Sequence, residues 1–175
     1  QASGSQQALV EKSVVKRMLS GMAARAGVFS ALAAQQGISA PKEIFEGKFG
    51  FYTLYGKGDL QALLADLGER YENATTVTKK FPSCTANHVA IEAALTLANE
   101  HNLRAENVLR ASVVISPFMH ALVGAPFDAG DNPQVAAQFS VQYSIACTIE
   151  RRMLGIAEIQ NEVIADARLN SLAQK

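Results

Sequence analysis

Only two runs of this chain, residues 74–81 and 108–116, have the β-branched density of a strand, and each ends against a proline, Pro82 and Pro117. Nearly everything else with a recognisable period is helical. Two strands do not make an independently stable sheet. The pair therefore needs helices to cover it, or further strands from beyond Lys175. The fold class expected from this pattern is α+β, predominantly helical.

The helical segments have readable ends. In 19–36, Met22, Ala23, Ala26, Phe29 and Ala33 recur at three- and four-residue steps, and Gly37 stands where a C-terminal cap belongs. Small residues fill that helix, so a neighbouring backbone can approach it closely. Pro41 opens a short helical turn, and 47–58 holds four glycines among aromatics, a structured loop or hinge. Asp59 is placed to cap a helix over 60–67, and Ser83 or Thr85 to cap one running to about Asn99. A short helix is predicted near 118–123, one long helix from Val135 to Met153, and a last one over 156–167. The opening, 1–15, has no strong period and reads as a loop.

Composition narrows the function. Sixteen basic residues balance sixteen acidic ones, so no global field draws the chain to nucleic acid or an anionic membrane. The longest apolar stretches, at 111–115 and 118–123, are far too short to span a bilayer. Half the residues are apolar (49%), enough for a sizeable core. Cys84 and Cys147 have no C-x-x-C partner and no His or Cys at zinc-ligand spacing, which reads as two free thiols in a reduced cytoplasm and no metal site. The Asn73-Ala74-Thr75 sequon carries no weight without a secretion signal. A chain that opens Gln1-Ala2-Ser3-Gly4, with no initiator Met, is expected to be cut from something longer.

Four ordered segments carry a resemblance. Ser3-Gly4 and then Lys16-Arg17-Met18-Leu19-Ser20-Gly21-Met22-Ala23-Ala24-Arg25-Ala26-Gly27 is close to K-R-x-H-x-G-x-A-A-x-x-G. Ile44-Phe45-Glu46-Gly47-Lys48-Phe49-Gly50-Phe51 is similar to LEG-x-x-GF. Lys79-Lys80-Phe81-Pro82-Ser83-Cys84, with His88 four residues on, is similar to K-x-(Y/F)-P-S-C-x-x-x-H. Ala137-Gln138-Phe139-Ser140-Val141-Gln142-Tyr143 is similar to A-Q-F-S-x-x-Y. Together they resemble the MmgE/PrpD family, which includes 2-methylcitrate dehydratase, cis-aconitate decarboxylase and iminodisuccinate epimerase.

The resemblance implies the end of an all-helical domain over 1–57 and a partial α+β lid over 58–175, with its later strands missing. It also implies cofactor-free chemistry on a small di- or tricarboxylate, in a homodimer. Polycarboxylates demand fixed cations, and proton removal beside a carboxylate demands stabilised negative charge. On its own, Arg25 reads as a snorkelling surface residue; the resemblance makes it a substrate-binding candidate. Lys79 and Lys80 alone read equally as a solvated pair. The motif selects Lys79 as the anion-binding or catalytic lysine and leaves Lys80 exposed. Cys84 and His88 are one helical turn apart. Their plain reading is a packed thiol and a hydrogen-bonded imidazole, while the resemblance puts Cys84 at the pocket edge and His88 in the catalytic set. His101 and His120 match nothing and are expected to be exposed or structural.

Three departures from the family pattern stand out. Leu19 stands where the family commonly has His and Cys84 where some members have His; Glu150-Arg151-Arg152, in place of the usual apolar pair, acidic residue and Gly, lies far from the chemistry in sequence and bears instead on an interface or a helix end. The general base, by resemblance, belongs to a region before this chain, so the 175-residue chain alone is expected to show little turnover. Two other readings stay open: a non-catalytic relic that oligomerises or binds a partner, and an epimerase on a related dicarboxylate.

Overall fold

The computed structural model describes residues 7–175, and the chain divides into two compact units, Gln1–Met22 with Lys79–Lys175, and Ala23–Thr78. Ser3 and Gly4 of the first motif lie outside the described residues. The first unit is built around the helix α8, and its elements in order are α1 (Gln7–Val10), a 3-10 turn (Val14–Met18) and the start of α2 (Leu19–Gln35). After the second unit, which holds the rest of α2, α3 (Phe51–Tyr55) and α4 (Leu60–Leu64), come α5 (Thr85–Glu100) and α6 (Pro117–Val123). Next are α7 (Pro133–Gln138), α8 (Val141–Arg151), α9 (Asn161–Ile164) and α10 (Ala167–Ala173).

Eight of the eleven residues of α8 are buried, Val141 and Tyr143 through Ile149. A helix covered on nearly every side is a central helix, and α5 and α10 are among those that cover it. Ile91, Ala94 and Ala98 of α5 and Leu169, Leu172 and Ala173 of α10 supply the opposing faces. Tyr143 is fully buried, stacks at a tilt on Phe127 with ring centroids 4.9 Å apart, and donates its hydroxyl to the Glu158 carbonyl. Glu158 is itself 1% exposed. Its carboxylate accepts Arg151 Nε at 3.1 Å and the Gly155 amide at 2.8 Å, which offsets the cost of burying it.

Several sequence expectations need correcting. Among the described residues there is no strand and no sheet, so the expected α+β class with a stranded lid gives way to an all-helical architecture. Of the run 74–81, the first residues lie in a 3-10 turn, Glu72–Thr75, and the rest has no regular structure. The run 108–116 passes over the α5–α8 unit without regular structure. Its Ala111 amide donates to the Lys175 carbonyl at 3.2 Å, and no second extended segment lies alongside. β-branched density measures fit to a pleated, half-covered surface, and it makes no ladder without a partner edge. The expected long helix from Val135 to Met153 is two helices. Ser140 breaks it by accepting the Tyr143 amide at 3.1 Å and starting α8 afresh. The last expected helix divides into a 3-10 turn (Ala157–Ile159), α9 and α10. The 1–15 loop contains α1 and the first residues of the 3-10 turn.

Other local readings match the structure. Gly37 has φ 84°, its amide donates to Ala34 and that of Ile38 to Ala33, which is the Schellman closure of α2. Asp59 Oδ1 accepts the Gln61 and Ala62 amides at 2.9 and 3.2 Å, capping α4. Among the residues of the Ala23–Thr78 unit whose burial is described, only Gly50 is buried, so order there comes from such local closures and from aromatic pairs such as Phe45 with Tyr52, 5.7 Å apart.

Two testable consequences follow from α8. Arg152 ends it in the left-handed region at φ 59°, a conformation that disfavours any residue with a Cβ. Its guanidinium offsets this by donating to the Ile149 carbonyl at 2.7 Å and the Leu103 carbonyl at 2.5 Å. Arg152→Ala keeps the strain and loses the clamp, and is expected to cost about 1–3 kcal/mol in urea unfolding; Arg152→Gly is expected to cost less. The Cys147 thiol is fully buried, and desolvation pushes its pKa up from 9 to about 11. The unfolded thiol releases its proton at lower pH than the folded one. The stability it contributes is therefore complete below pH 9 and lost as pH rises through 11. Urea midpoints are expected to fall across that window, and to fall less steeply in Cys147→Ala.

Candidate functional site

The third motif folds as a tight lead-in to α5, within the first unit. Phe81 and Ser83 are buried, Lys79 and Lys80 are exposed, and Cys84 and His88 are half-buried. Cys84 is the residue that precedes the helix, and neither Ser83 nor Thr85 caps it as their side chains suggested. The Cys84 amide is taken instead by the Gln138 carbonyl at 2.8 Å. Lys79 Nζ donates to the Ser83 carbonyl at 2.9 Å, so the ammonium is tethered at the start of a sixteen-residue helix. The first amides of that helix carry partial positive charge in the same place. Lys80 is paired with Glu92 and lies 5.4 Å from the Phe81 ring centroid. The two adjacent lysines thus differ: one is neutralised by a carboxylate, the other is held only by a carbonyl.

His88 stands edge-on to Phe81, with ring centroids 5.3 Å apart at 80°. Its Nε2 is buried and has no hydrogen-bond partner. No hydrogen bond joins it to Cys84 among the described residues, so the one-turn spacing does not make a nucleophile–base pair here. Arg25 is exposed on α2 in the second unit, apart from Lys79, Cys84 and His88, which share the first. His101 and His120 are both exposed.

Sequence reasoning missed three residues that hold the lead-in. Asn87 is fully buried, and its Nδ2 lies 3.4 Å from the carbonyls of Gln138 and Ser140 and 3.3 Å from Ser144 Oγ. Gln138 Nε2 donates to the Pro82 carbonyl at 3.1 Å, and Gln138 Oε1 accepts Arg17 Nη2 at 3.1 Å. The available signal is the A-Q-F-S segment itself, whose resemblance marks position 138 without assigning it a contact. Three of the four motifs, those holding Arg17, Pro82-Ser83-Cys84 and Gln138, therefore meet at one place.

Chemically this place suits an anion. An open groove of about 660 Å³ elsewhere in the unit, lined by Ala93, Leu97, Leu109, Val113, Val114 and Ile149 among others, is apolar and does not include Lys79, Cys84 or His88. Among the described residues, no three His, Cys, Asp or Glu side chains converge as metal ligands. Among the described residues no helix is long and apolar enough to cross a membrane. The two thiols differ sharply, Cys147 being fully buried and Cys84 half-open. Iodoacetamide is therefore expected to label the native protein at one cysteine, with the label lost in Cys84→Ser and kept in Cys147→Ala, as read by intact mass.

Residues 81–175 match the family model described as the MmgE/PrpD C-terminal domain, and residues 1–63 match that of the MmgE/PrpD N-terminal domain. No curated protein sequence matches the chain significantly.

Proposed function

The chain belongs to the MmgE/PrpD family, and from that premise we propose that it serves a lyase acting on a small di- or tricarboxylate, a dehydratase of the 2-methylcitrate type. The observation that carries this reading is the Lys79 ammonium, tethered to the Ser83 carbonyl at the N-terminal end of α5 with no carboxylate neutralising it. A substrate carboxylate there meets a full positive charge and the helix amides together. Arg25, whose planar guanidinium suits bidentate contact, is by resemblance a carboxylate-binding residue of the other unit.

In such a reaction a base removes the proton beside a carboxylate, the electron pair forms the carbon–carbon double bond, and the hydroxyl leaves with a proton as water. Charge that builds on the carboxylate oxygens is stabilised by Lys79. His88 enters the catalytic set by resemblance, its Nε2 buried without a partner, and Cys84 borders the bound acid by the same resemblance. The proposed enzyme is a cytoplasmic homodimer.

A second reading, a binding protein without turnover, is favoured by one observation. Cys84 replaces the His found in some relatives, and no hydrogen bond joins it to His88. Both readings need the same anchor. Calorimetry with citrate is expected to show binding that Lys79→Met weakens at least tenfold, about 1.4 kcal/mol. Lys80→Met, which removes a lysine already paired with Glu92, is expected to stay within about twofold. Equal effects of the two substitutions, or no binding of citrate, 2-methylcitrate, cis-aconitate or iminodisuccinate, would overturn the assignment. Release of water from 2-methylcitrate by this chain would overturn the binder reading.

A further inference from the structure

We infer that Gln138 is a positioning residue for the candidate site, setting where the Lys79 ammonium stands; its functional meaning rests on the polycarboxylate reading above. The Ser83 carbonyl that tethers Lys79 and the Cys84 amide held by Gln138 belong to one peptide unit. That unit is planar and trans, so its C=O and N–H point in opposite directions. The Gln138 carbonyl grips the N–H end at 2.8 Å, and the C=O end is thereby aimed at Lys79 Nζ, 2.9 Å away. The side chain of the same glutamine holds the preceding peptide through the Pro82 carbonyl at 3.1 Å. Two successive peptide planes are thus fixed by one residue, and rotation of either would swing the Ser83 carbonyl away from the ammonium.

Gln138 is itself anchored from two sides. Arg17 spans Gln134 Oε1 at 3.2 Å and Gln138 Oε1 at 3.1 Å, which turns the amide so that its Nε2 faces Pro82. Buried Asn87 reaches the Gln138 carbonyl from α5. Carboxamide chemistry is required at 138 because one end must accept from a cation while the other donates to a carbonyl. Glutamate satisfies Arg17 but opposes Pro82 with an oxygen, and methionine fills the volume with neither bond.

The experiment uses the whole chain, with amide hydrogen exchange at Cys84 and citrate titration as paired measurements. Gln138→Met and Gln138→Glu keep the main-chain carbonyl that holds the Cys84 amide but lose the side-chain bond to the Pro82 carbonyl; freeing that preceding peptide is expected to speed Cys84 exchange and to weaken citrate about tenfold, while the melting curve stays cooperative. Arg17→Met, which removes one anchor of the carboxamide but not the carboxamide itself, is expected to change both in the same direction and by less than Gln138→Met. In a Lys79→Met background the effect of Gln138→Met on citrate is expected to vanish, since the glutamine acts through that lysine. Unchanged Cys84 exchange in Gln138→Met, or wild-type behaviour of Gln138→Glu, overturns the inference. Citrate weakening that persists without Lys79 also overturns it, by showing a general structural role. Absence of citrate binding in the wild type sinks the polycarboxylate reading alone, and exchange at Cys84 still decides whether Gln138 holds the lead-in.

Discussion

Asn87 is fully buried, and a carboxamide removed from water without partners costs several kcal/mol on a hydrocarbon scale, about 1–3 by mutational measures. Its Nδ2 finds carbonyls from Gln138 and Ser140 and the hydroxyl of Ser144, all at the junction of α7 and α8. Its Oδ1 is buried without a partner, so the Nδ2 contacts alone tie the first turn of α5 to the start of α8. The apolar faces then follow. Ile91, Ala94 and Ala98 lie along α5 at helical spacing from Asn87, and they meet a helix whose buried residues begin beside Ser140. A polar contact of this kind adds less cohesion than the surrounding apolar area, but it distinguishes one packing from its slipped neighbours.

The same junction explains why α7 and α8 are two helices. Ser140 serves as cap for α8 through its hydroxyl and as acceptor for Asn87 through its carbonyl, and Ser144 donates back to that carbonyl at 2.7 Å. With the break in place, the end of α7 turns its Gln138 carbonyl toward the lead-in of α5. A continuous helix would have consumed that carbonyl in its own i to i+4 bonding. The helix break thus frees an acceptor for Cys84, which in turn aims Ser83 at Lys79. Packing and candidate chemistry share one structural cause.

Much of the candidate site was legible because family-like motifs mark it. Lys79, Cys84 and His88 sit within ten residues of one another, Cys84 just before α5 and His88 in its first turn. What could not be read was how they are held. The plain expectation of a hydrogen-bonded imidazole fails at Nε2, which is buried without a partner, and the cap expected from Ser83 or Thr85 is displaced by a carbonyl from Gln138. The runs 74–81 and 108–116 misled for a related reason. Their β-branched residues permit an extended chain, yet a strand exists only where a second edge exchanges hydrogen bonds with it.

The sequence by itself determined the family and the closures at Gly37 and Asp59. Each closure depends on bonds to amides or carbonyls within five residues, where a local pattern is sufficient. Tertiary structure alone decided that no ladder forms among the described residues, that 135–153 breaks at Ser140, and that one glutamine joins three motifs. Gln138 meets Pro82 across a separation of 56 residues. A contact at that distance is selected by how buried faces and buried polar groups are satisfied together, and no short window of sequence contains that condition.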